Sequence, residues 1–239
     1  MMNLRRISES TLQTKPYRWA EVDQLFSPED AHALATTFPR DRFKRVAAYD
    51  GQKSFDYQVR SLIRMGERSI AGRRTLSSAW RALANDLLSP AYRAAVSSLT
   101  GLDLSSAPVE VNVFSYSPGG WQGPHPDHRD KIVTHVLYFN ESWNEEDGGC
   151  LQILRSTDPR DVAAQVSPVL RNSVFLVRSD DSWHAVSAVS KGSRFSRLSA
   201  TATFYRPGCV STVWPSWHRQ IFYQYPMRAW TRVRGSFRG

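Results

Sequence analysis

The sequence predicts a mainly β protein with flanking helices: a double-stranded β-helix, or jelly roll, with N-terminal helices packed on one of its sheets. Three observations lead there. Between Val109 and Tyr205, short runs alternate apolar and polar residues and are separated by turn-rich segments. Before about residue 108, apolar residues recur instead at helical spacing. At 239 residues the chain is long enough for one substantial domain with its own core. The expected organisation is a single domain over 1–239, with mainly helical support over 1–108, the jelly-roll core over 109–206 and a basic, aromatic tail over 207–239.

The elements follow in order. Ser27 before Pro28, with Asp30 at the third helical position, reads as a helix start; Ala31, Leu34, Ala35 and Phe38 share a face, and Pro39 ends the run. A second helix is expected over 76–88, with Leu76, Trp80, Leu83 and Leu87 in register. A third starts at Ser89-Pro90 and stops before Gly101. The strand candidates are VEVNVFSY, KIVTHVLYFN, CLQIL, SVFLVRS, HAVSAV and RLSATATFY. Segments 43–74 and 154–168 carry no strand signal and are expected to be long loops able to form a substrate lid.

Within PHPDHRDKIVTHVLY, His125 and Asp127 stand two apart, so on an extended strand they project an imidazole and a carboxylate into the same space. His184, 57 positions beyond Asp127 at the start of an alternating apolar strand, supplies a third donor. Two histidines and one carboxylate leave coordination positions open, which suits non-haem Fe(II); a structural zinc site would favour four ligands and cysteine, and only Cys150 and Cys209 exist. Arg197 follows His184 by 13 positions and shares a strand face with Ser199, Thr201 and Thr203, opposite Leu198, Ala200, Ala202 and Phe204. A cation beside hydroxyls is costly to bury unless paired, and a bound carboxylate would pair it bidentately.

With HPD, YFN (138–140), ESW (141–143), GGCLQI (148–153), the distal His184 and RLS (197–199), the region Val109–Tyr205 resembles the 2-oxoglutarate and Fe(II)-dependent dioxygenases, in particular the prolyl 4-hydroxylase-like subgroup. The resemblance implies that His125, Asp127 and His184 bind iron, that Arg197 holds the distal carboxylate of 2-oxoglutarate with Tyr138 as its hydrogen-bonding partner and Ser199 beside it, and that Tyr116 lines the cosubstrate or substrate pocket. It implies O2 as co-reactant, succinate and CO2 as products, and a possible use of ascorbate as reductant. Because Asp127 is retained where related halogenases need a non-coordinating residue, hydroxylation is the default outcome. Two departures stand out. SKGSRFS (190–196) lengthens the gap after His184, making Arg194 a rival anchor, although Ser199 favours Arg197. His128 directly follows the motif but faces away from Asp127 on a strand, toward the surface or an outer shell.

The other candidates have plainer readings. Asp180 and Asp181 cap or solvate the turn before His184, His135 is a core or interface histidine, and His32 and His218 carry no ligand spacing. Trp121, Trp143 and Trp183 flank the proposed site and could line a substrate pocket. Net charge is +9, concentrated from Pro215 onward, where five arginines and six aromatics occur without an acidic residue. That tail reads either as aromatics packed on the barrel with solvated arginines, the preferred reading, or as a surface for nucleic acid or an acidic carrier protein. No stretch has membrane-spanning length and the N-terminus lacks a secretory apolar segment, so a cytoplasmic enzyme acting on a small molecule or amino acid, free or carrier-bound, is expected. Two cysteines 59 positions apart argue against a disulfide framework. The competing functions are a peptidyl or protein prolyl hydroxylase, a cupin-like metal enzyme that does not use 2-oxoglutarate, and a non-enzymatic nucleic-acid-binding sensor.

Overall fold

The computed structural model describes residues 1–48, 54–211 and 213–214. The chain divides into two compact units, Met1–Pro207 and Gly208–Gly239. In the second, Ser211 Oγ accepts from the N–H groups of Val213 (3.2 Å) and Trp214 (2.8 Å). The arginine-rich stretch from Pro215, with His218, lies outside the described residues.

Among the described residues, the first unit carries four α-helices, α1 (Leu4–Ser8), α2 (Pro28–Thr36), α3 (Ser78–Leu88) and α4 (Pro90–Thr100), and eleven strands. These are β1 (Trp19–Val22), β2 (Lys44–Ala48), β3 (Phe55–Ile63), β4 (Val109–Tyr116), β5 (Trp121–His125), β6 (Lys131–Tyr138), β7 (Leu151–Leu154), β8 (Val162–Val166), β9 (Ser173–Val177), β10 (His184–Val186) and β11 (Arg197–Tyr205). They form one curled antiparallel sheet in the order β1-β9-β6-β11-β4-β3-β5-β10-β7-β8, with β2 on β3. The curl turns on β3, whose residues from Gln58 onward pair with β4 while Phe55 and Asp56 pair with β5. The result is the half-barrel of a jelly roll, a larger half from β1 to β3 and a smaller one from β5 to β8.

The helices start where their caps predict. Ser27, Ser77 and Ser89 each accept a hydrogen bond from the backbone N–H three residues on, and Gly101 closes α4 in the left-handed conformation. Leu76 falls outside α3, because the Ser77 cap starts the helix two residues later, yet it remains buried in the same core. That core joins Trp80, Leu83 and Leu87 of α3 and Tyr92, Val96 and Leu99 of α4 to one face of the larger half-sheet: Val109, Val111 and Val113 of β4, Val133 and Leu137 of β6, and Ala200, Ala202 and Phe204 of β11. Trp80 is fully buried, and its indole N–H donates to Leu34 O at 2.9 Å.

Three sequence expectations are corrected. The N-terminal 108 residues contribute β1, β2 and β3 as well as helices, and β2 and β3 occupy the segment read as a loop over 43–74. The signal was present in FDYQVRSLI, where Phe55, Tyr57 and Val59 alternate with Asp56, Gln58 and Arg60. Segment 154–168 contains β8, whose VAAQV has little intrinsic strand preference and is held by pairing with β7.

His135 behaves as a core residue. It lies between the helices and β9, with Nδ1 2.9 Å from the Tyr92 hydroxyl and its ring stacked on Phe175 at 3.8 Å. Burial pushes its pKa down to about 3. A folded-state pKa below the unfolded one means that the unfolded chain takes up the proton first, so stability is complete above the unfolded value near 6.5 and falls as pH drops toward 3. His135→Gln keeps a hydrogen-bonding partner for Tyr92 without titrating. Its destabilisation, read from urea midpoints at pH 7.5, 5.5 and 4.5, is expected to shrink by about 1.4 kcal/mol per unit below pH 6.5. A pH-independent difference between the two proteins would contradict the buried, neutral imidazole.

Candidate metal centre

The smaller half-sheet delivers both histidines. His125 ends β5, His184 begins β10, and the two are cross-strand partners with ring centroids 4.4 Å apart. Gln122 pairs with Val186, so three residue steps on β5 face two on β10, and this bulge takes up Pro124 while setting His125 opposite His184. Each ring is oriented by its own backbone: Nδ1 of His125 lies 2.8 Å from Gly123 O and Nδ1 of His184 lies 2.9 Å from Ser182 O. A carbonyl only accepts, so both Nδ1 atoms carry the proton and both Nε2 atoms carry the lone pair that a metal needs. The Gln122 amide nitrogen lies 3.2 Å from His125 Nε2, and Gln122 Oε1 accepts from the Tyr116 hydroxyl at 3.2 Å.

Asp127 arrives from the turn after β5. Lys131 Nζ donates to its Oδ1 at 2.6 Å and Thr134 Oγ1 donates to its Oδ2 at 2.7 Å, so the larger half-sheet holds the carboxylate at both oxygens. Burial alone would pull the Lys131 ammonium down, but Asp127, Tyr205 and Glu110 around it outweigh this and hold its pKa above the ordinary value. One donor atom each from His125, Asp127 and His184 lies within 4.8 Å of the others, and the three residues are 4, 5 and 7% exposed. The set of two imidazoles and one carboxylate, with tautomers already fixed, fits a divalent ion that keeps open positions.

Along the inner face of the larger half, Arg197 of β11 pairs in register with Tyr116 of β4, and Ser199 with Tyr138 of β6. Arg197 is 2% exposed, and its guanidinium lies 4.9 Å from the Tyr116 ring centre and 5.3 Å from that of Tyr138. Its Nη1 donates to Ser199 Oγ at 2.7 Å, whereas its Nε and the Tyr138 hydroxyl are buried without a hydrogen-bond partner. Buried donors without acceptors are rare, and a carboxylate seated here would satisfy both. Burial raises the phenol pKa of Tyr138 and pushes that of Tyr116 up to about 12, with Arg197 opposing both shifts, so each stays a hydroxyl donor.

Sequence reasoning overlooked several contributors. Gln122, Lys131 and Thr134 reveal themselves only through the contacts just described. Tyr17 is buried outside the apolar core with an unpartnered hydroxyl, and burial followed by the charge of Asp127 raises its pKa. Gly149 matters through space: a Cβ there would stand 3.0 Å from Trp143, 3.1 Å from Val189 and 3.5 Å from the Arg197 stem. Trp143, one of the flanking tryptophans, donates its indole N–H to Gly148 O at 2.7 Å.

The rivals fall outside the cluster. Arg194 is exposed. His128 is half exposed, with Nδ1 accepting from the Asp130 N–H at 3.3 Å. Asp180 is paired with Arg178 on the surface, Asp181 is exposed, and His32 lies on the surface 2.6 Å from Glu141.

Residues 111–205 match the family model of the 2OG-Fe(II) oxygenase superfamily. Among solved structures, a prolyl-4-hydroxylase from Pseudomonas putida is similar at 25% identity and a TM-score of 0.57, over 79% of this chain and 92% of its own. A Trichoplax adhaerens prolyl hydroxylase, solved with a hypoxia inducible factor peptide, shares the fold at 14% identity and a TM-score of 0.55, over 85% of this chain and 87% of its own. The α-ketoglutarate-dependent epimerase SnoN of nogalamycin biosynthesis shares it at 15% and 0.51, over 86% and 83%. No curated protein matches the chain in sequence. Among the described residues, no helix is long and apolar enough to cross a membrane.

The ligand assignment makes a sharp distinction between neighbouring histidines. Anaerobic calorimetry with Co(II) should find affinity lowered roughly 100-fold or more in His125→Ala, and unchanged within about twofold in His128→Ala. Equal losses in both variants would mean that the metal sits elsewhere.

Proposed function

Taking residues 111–205 as a 2OG-Fe(II) oxygenase domain, we propose that His125, Asp127 and His184 hold Fe(II), that Arg197, Tyr138 and Ser199 hold 2-oxoglutarate with Tyr116 at the edge of the pocket, and that the enzyme hydroxylates an unactivated C–H bond of an amino acid or natural-product scaffold with formation of succinate and CO2. The observation that carries this reading is the presence of a buried donor triad centred on the smaller half-sheet together with a buried guanidinium on the inner face of the larger half that has no acidic partner among the described residues.

When bound, Fe(II) together with 2-oxoglutarate and O2 supplies the oxidising chemistry. The chain supplies placement. His125 and His184 present Nε2 lone pairs because Gly123 O and Ser182 O occupy their Nδ1 protons. Lys131 and Thr134 fix the plane of the Asp127 carboxylate, so the donor set is formed before any metal arrives. Arg197 offers its planar fork to the distal carboxylate, the Tyr138 hydroxyl donates a further hydrogen bond, and Ser199 steadies the fork. Six residue steps along β11 take Arg197 to Thr203, whose hydroxyl lies 3.4 Å from that of Thr134 beside Asp127. At about 3.3 Å per residue this is a span of about 20 Å, room for an arginine side chain, a five-carbon dicarboxylate and a metal in series. Enclosure between the two half-sheets excludes water from the reacting C–H bond.

A second reading, hydroxylation of peptidyl proline, is supported by the 25% identity to the Pseudomonas putida prolyl-4-hydroxylase over most of both chains. We place the reaction in the cytoplasm, where Cys150 and Cys209, neither of them in a disulfide, remain thiols and ascorbate or another reductant keeps the iron ferrous. A substrate delivered on a carrier protein is compatible with this placement.

The test is anaerobic reconstitution with Fe(II) and 2-oxoglutarate, followed by O2 exposure with a panel of free amino acids, natural-product scaffolds and proline peptides while succinate and product are measured. One panel member should yield product and succinate in equal amounts, and Asp127→Ala and Arg197→Ala should each abolish that coupled turnover. Product formation that persists in Arg197→Ala without succinate would favour the cupin-like enzyme that does not use 2-oxoglutarate.

A further inference from the structure

Arg197 stands where β11 emerges from the 190–196 loop, and its ladder to β6 begins only at the Ser199–Tyr138 pair. On its β4 side the backbone is paired from Arg197 itself, opposite Tyr116, so the side left to be fixed is the one facing β6. There one residue grips the backbone on either side of Arg197. The Asn140 amide Nδ2 donates to Ser196 O at 2.9 Å, and Asn140 Oδ1 accepts from the Leu198 N–H at 2.8 Å. The amide orientation is unambiguous, since a carbonyl can only accept and a backbone N–H can only donate. Asn140 is itself anchored, its carbonyl accepting from Leu170 N–H at 2.7 Å while the neighbouring Phe139 N–H donates to Leu198 O at 3.0 Å. It is 7% exposed, so water does not compete for these bonds.

We propose that Asn140 is the positioning residue for cosubstrate binding: it continues the β6–β11 ladder with its side chain and so fixes the direction in which Arg197 projects. This rests on the reading that Arg197 holds the distal carboxylate of 2-oxoglutarate. Asn140 touches neither cosubstrate nor metal and acts only through the peptide units on either side of Arg197. The role is confined to one end of the site, because Asp127 is oriented by Lys131 and Thr134, and the two histidines by Gly123 and Ser182.

The experiment titrates 2-oxoglutarate into the anaerobic Co(II)-loaded full-length protein by calorimetry, with Co(II) affinity and thermal midpoint measured alongside. Asn140→Ala is expected to raise the Kd for 2-oxoglutarate roughly 10- to 100-fold, with Co(II) affinity held within about twofold. In turnover the loss should appear as a raised KM for 2-oxoglutarate, with most of kcat recovered at saturation. Asn140→Asp keeps the acceptor for Leu198 N–H and loses the donor to Ser196 O; it should weaken 2-oxoglutarate in the same sense and serves as the probe should the alanine variant not fold. Unchanged 2-oxoglutarate affinity in both Asn140 variants, with a large loss in Arg197→Ala, overturns the positioning role alone. Unchanged affinity in Arg197→Ala as well overturns the cosubstrate reading beneath it. Parallel losses of Co(II) and 2-oxoglutarate affinity would also overturn the proposal, because Asn140 would then support the fold at large.

Discussion

The larger half-sheet buries both of its faces, and only one of them is apolar. A sheet covered on both sides ordinarily reads as continuous hydrophobic strands, yet the inner face places Glu110, Asn112, Thr134, Arg197, Ser199 and Thr203 out of water. Burying such groups costs free energy unless each finds a partner. The helices meet this constraint from outside: α3 and α4 pack a continuous apolar core on the opposite face, so the polar face need contribute nothing to hydrophobic stability. The inner face is thereby free to be organised around chemistry.

That division makes the donor triad a product of register rather than of local sequence. His125 and His184 meet because β5 and β10 pair, and they meet side chain to side chain because a bulge absorbs Pro124. Asp127 comes from a turn too short to fix a carboxylate by itself, and two residues of the facing half-sheet hold it instead. The small half thus contributes the nitrogen donors and the large half stabilises the oxygen donor. The curl at β3 is what brings the two within reach of one ion.

How much of this was legible depended on whether the signal was local. Strand β11 coincides with RLSATATFY, which alternates between a core side and a polar side, and β4 with VEVNVFSY, which does so from Val109 to Val113. The caps at Ser27 and Ser89 were readable because the serine is followed by proline at the first helical position. Strand β5 was not, since Gly123 and Pro124 in five residues argue against a strand, and only its neighbours impose one. Gln122, Lys131, Thr134, Asn140 and Tyr17 were invisible as site residues for a similar reason: no spacing in the sequence says which strand lies opposite. His125, Asp127, His184 and Arg197 were readable as candidates because few residue types suit a metal or a carboxylate, whereas the supporting groups are ordinary polar residues whose meaning is a contact.

The same contrast explains why the cation of the inner face is an arginine. A lysine ammonium is compact and strongly hydrated, and in this protein the half-buried Lys131 is held directly on a carboxylate at 2.6 Å. Arg197 has no acidic partner among the described residues, and its desolvation is met by Ser199 and by the faces of Tyr116 and Tyr138. A guanidinium tolerates that arrangement because it is planar, delocalised and weakly hydrated, and it keeps a free edge of N–H donors. An ammonium in the same place would have to draw on a protein carboxylate and would lose its capacity to take one from solution. Aromatic walls instead of an acidic neighbour therefore leave the cation buried yet available, which is the condition a dicarboxylate-binding site has to meet.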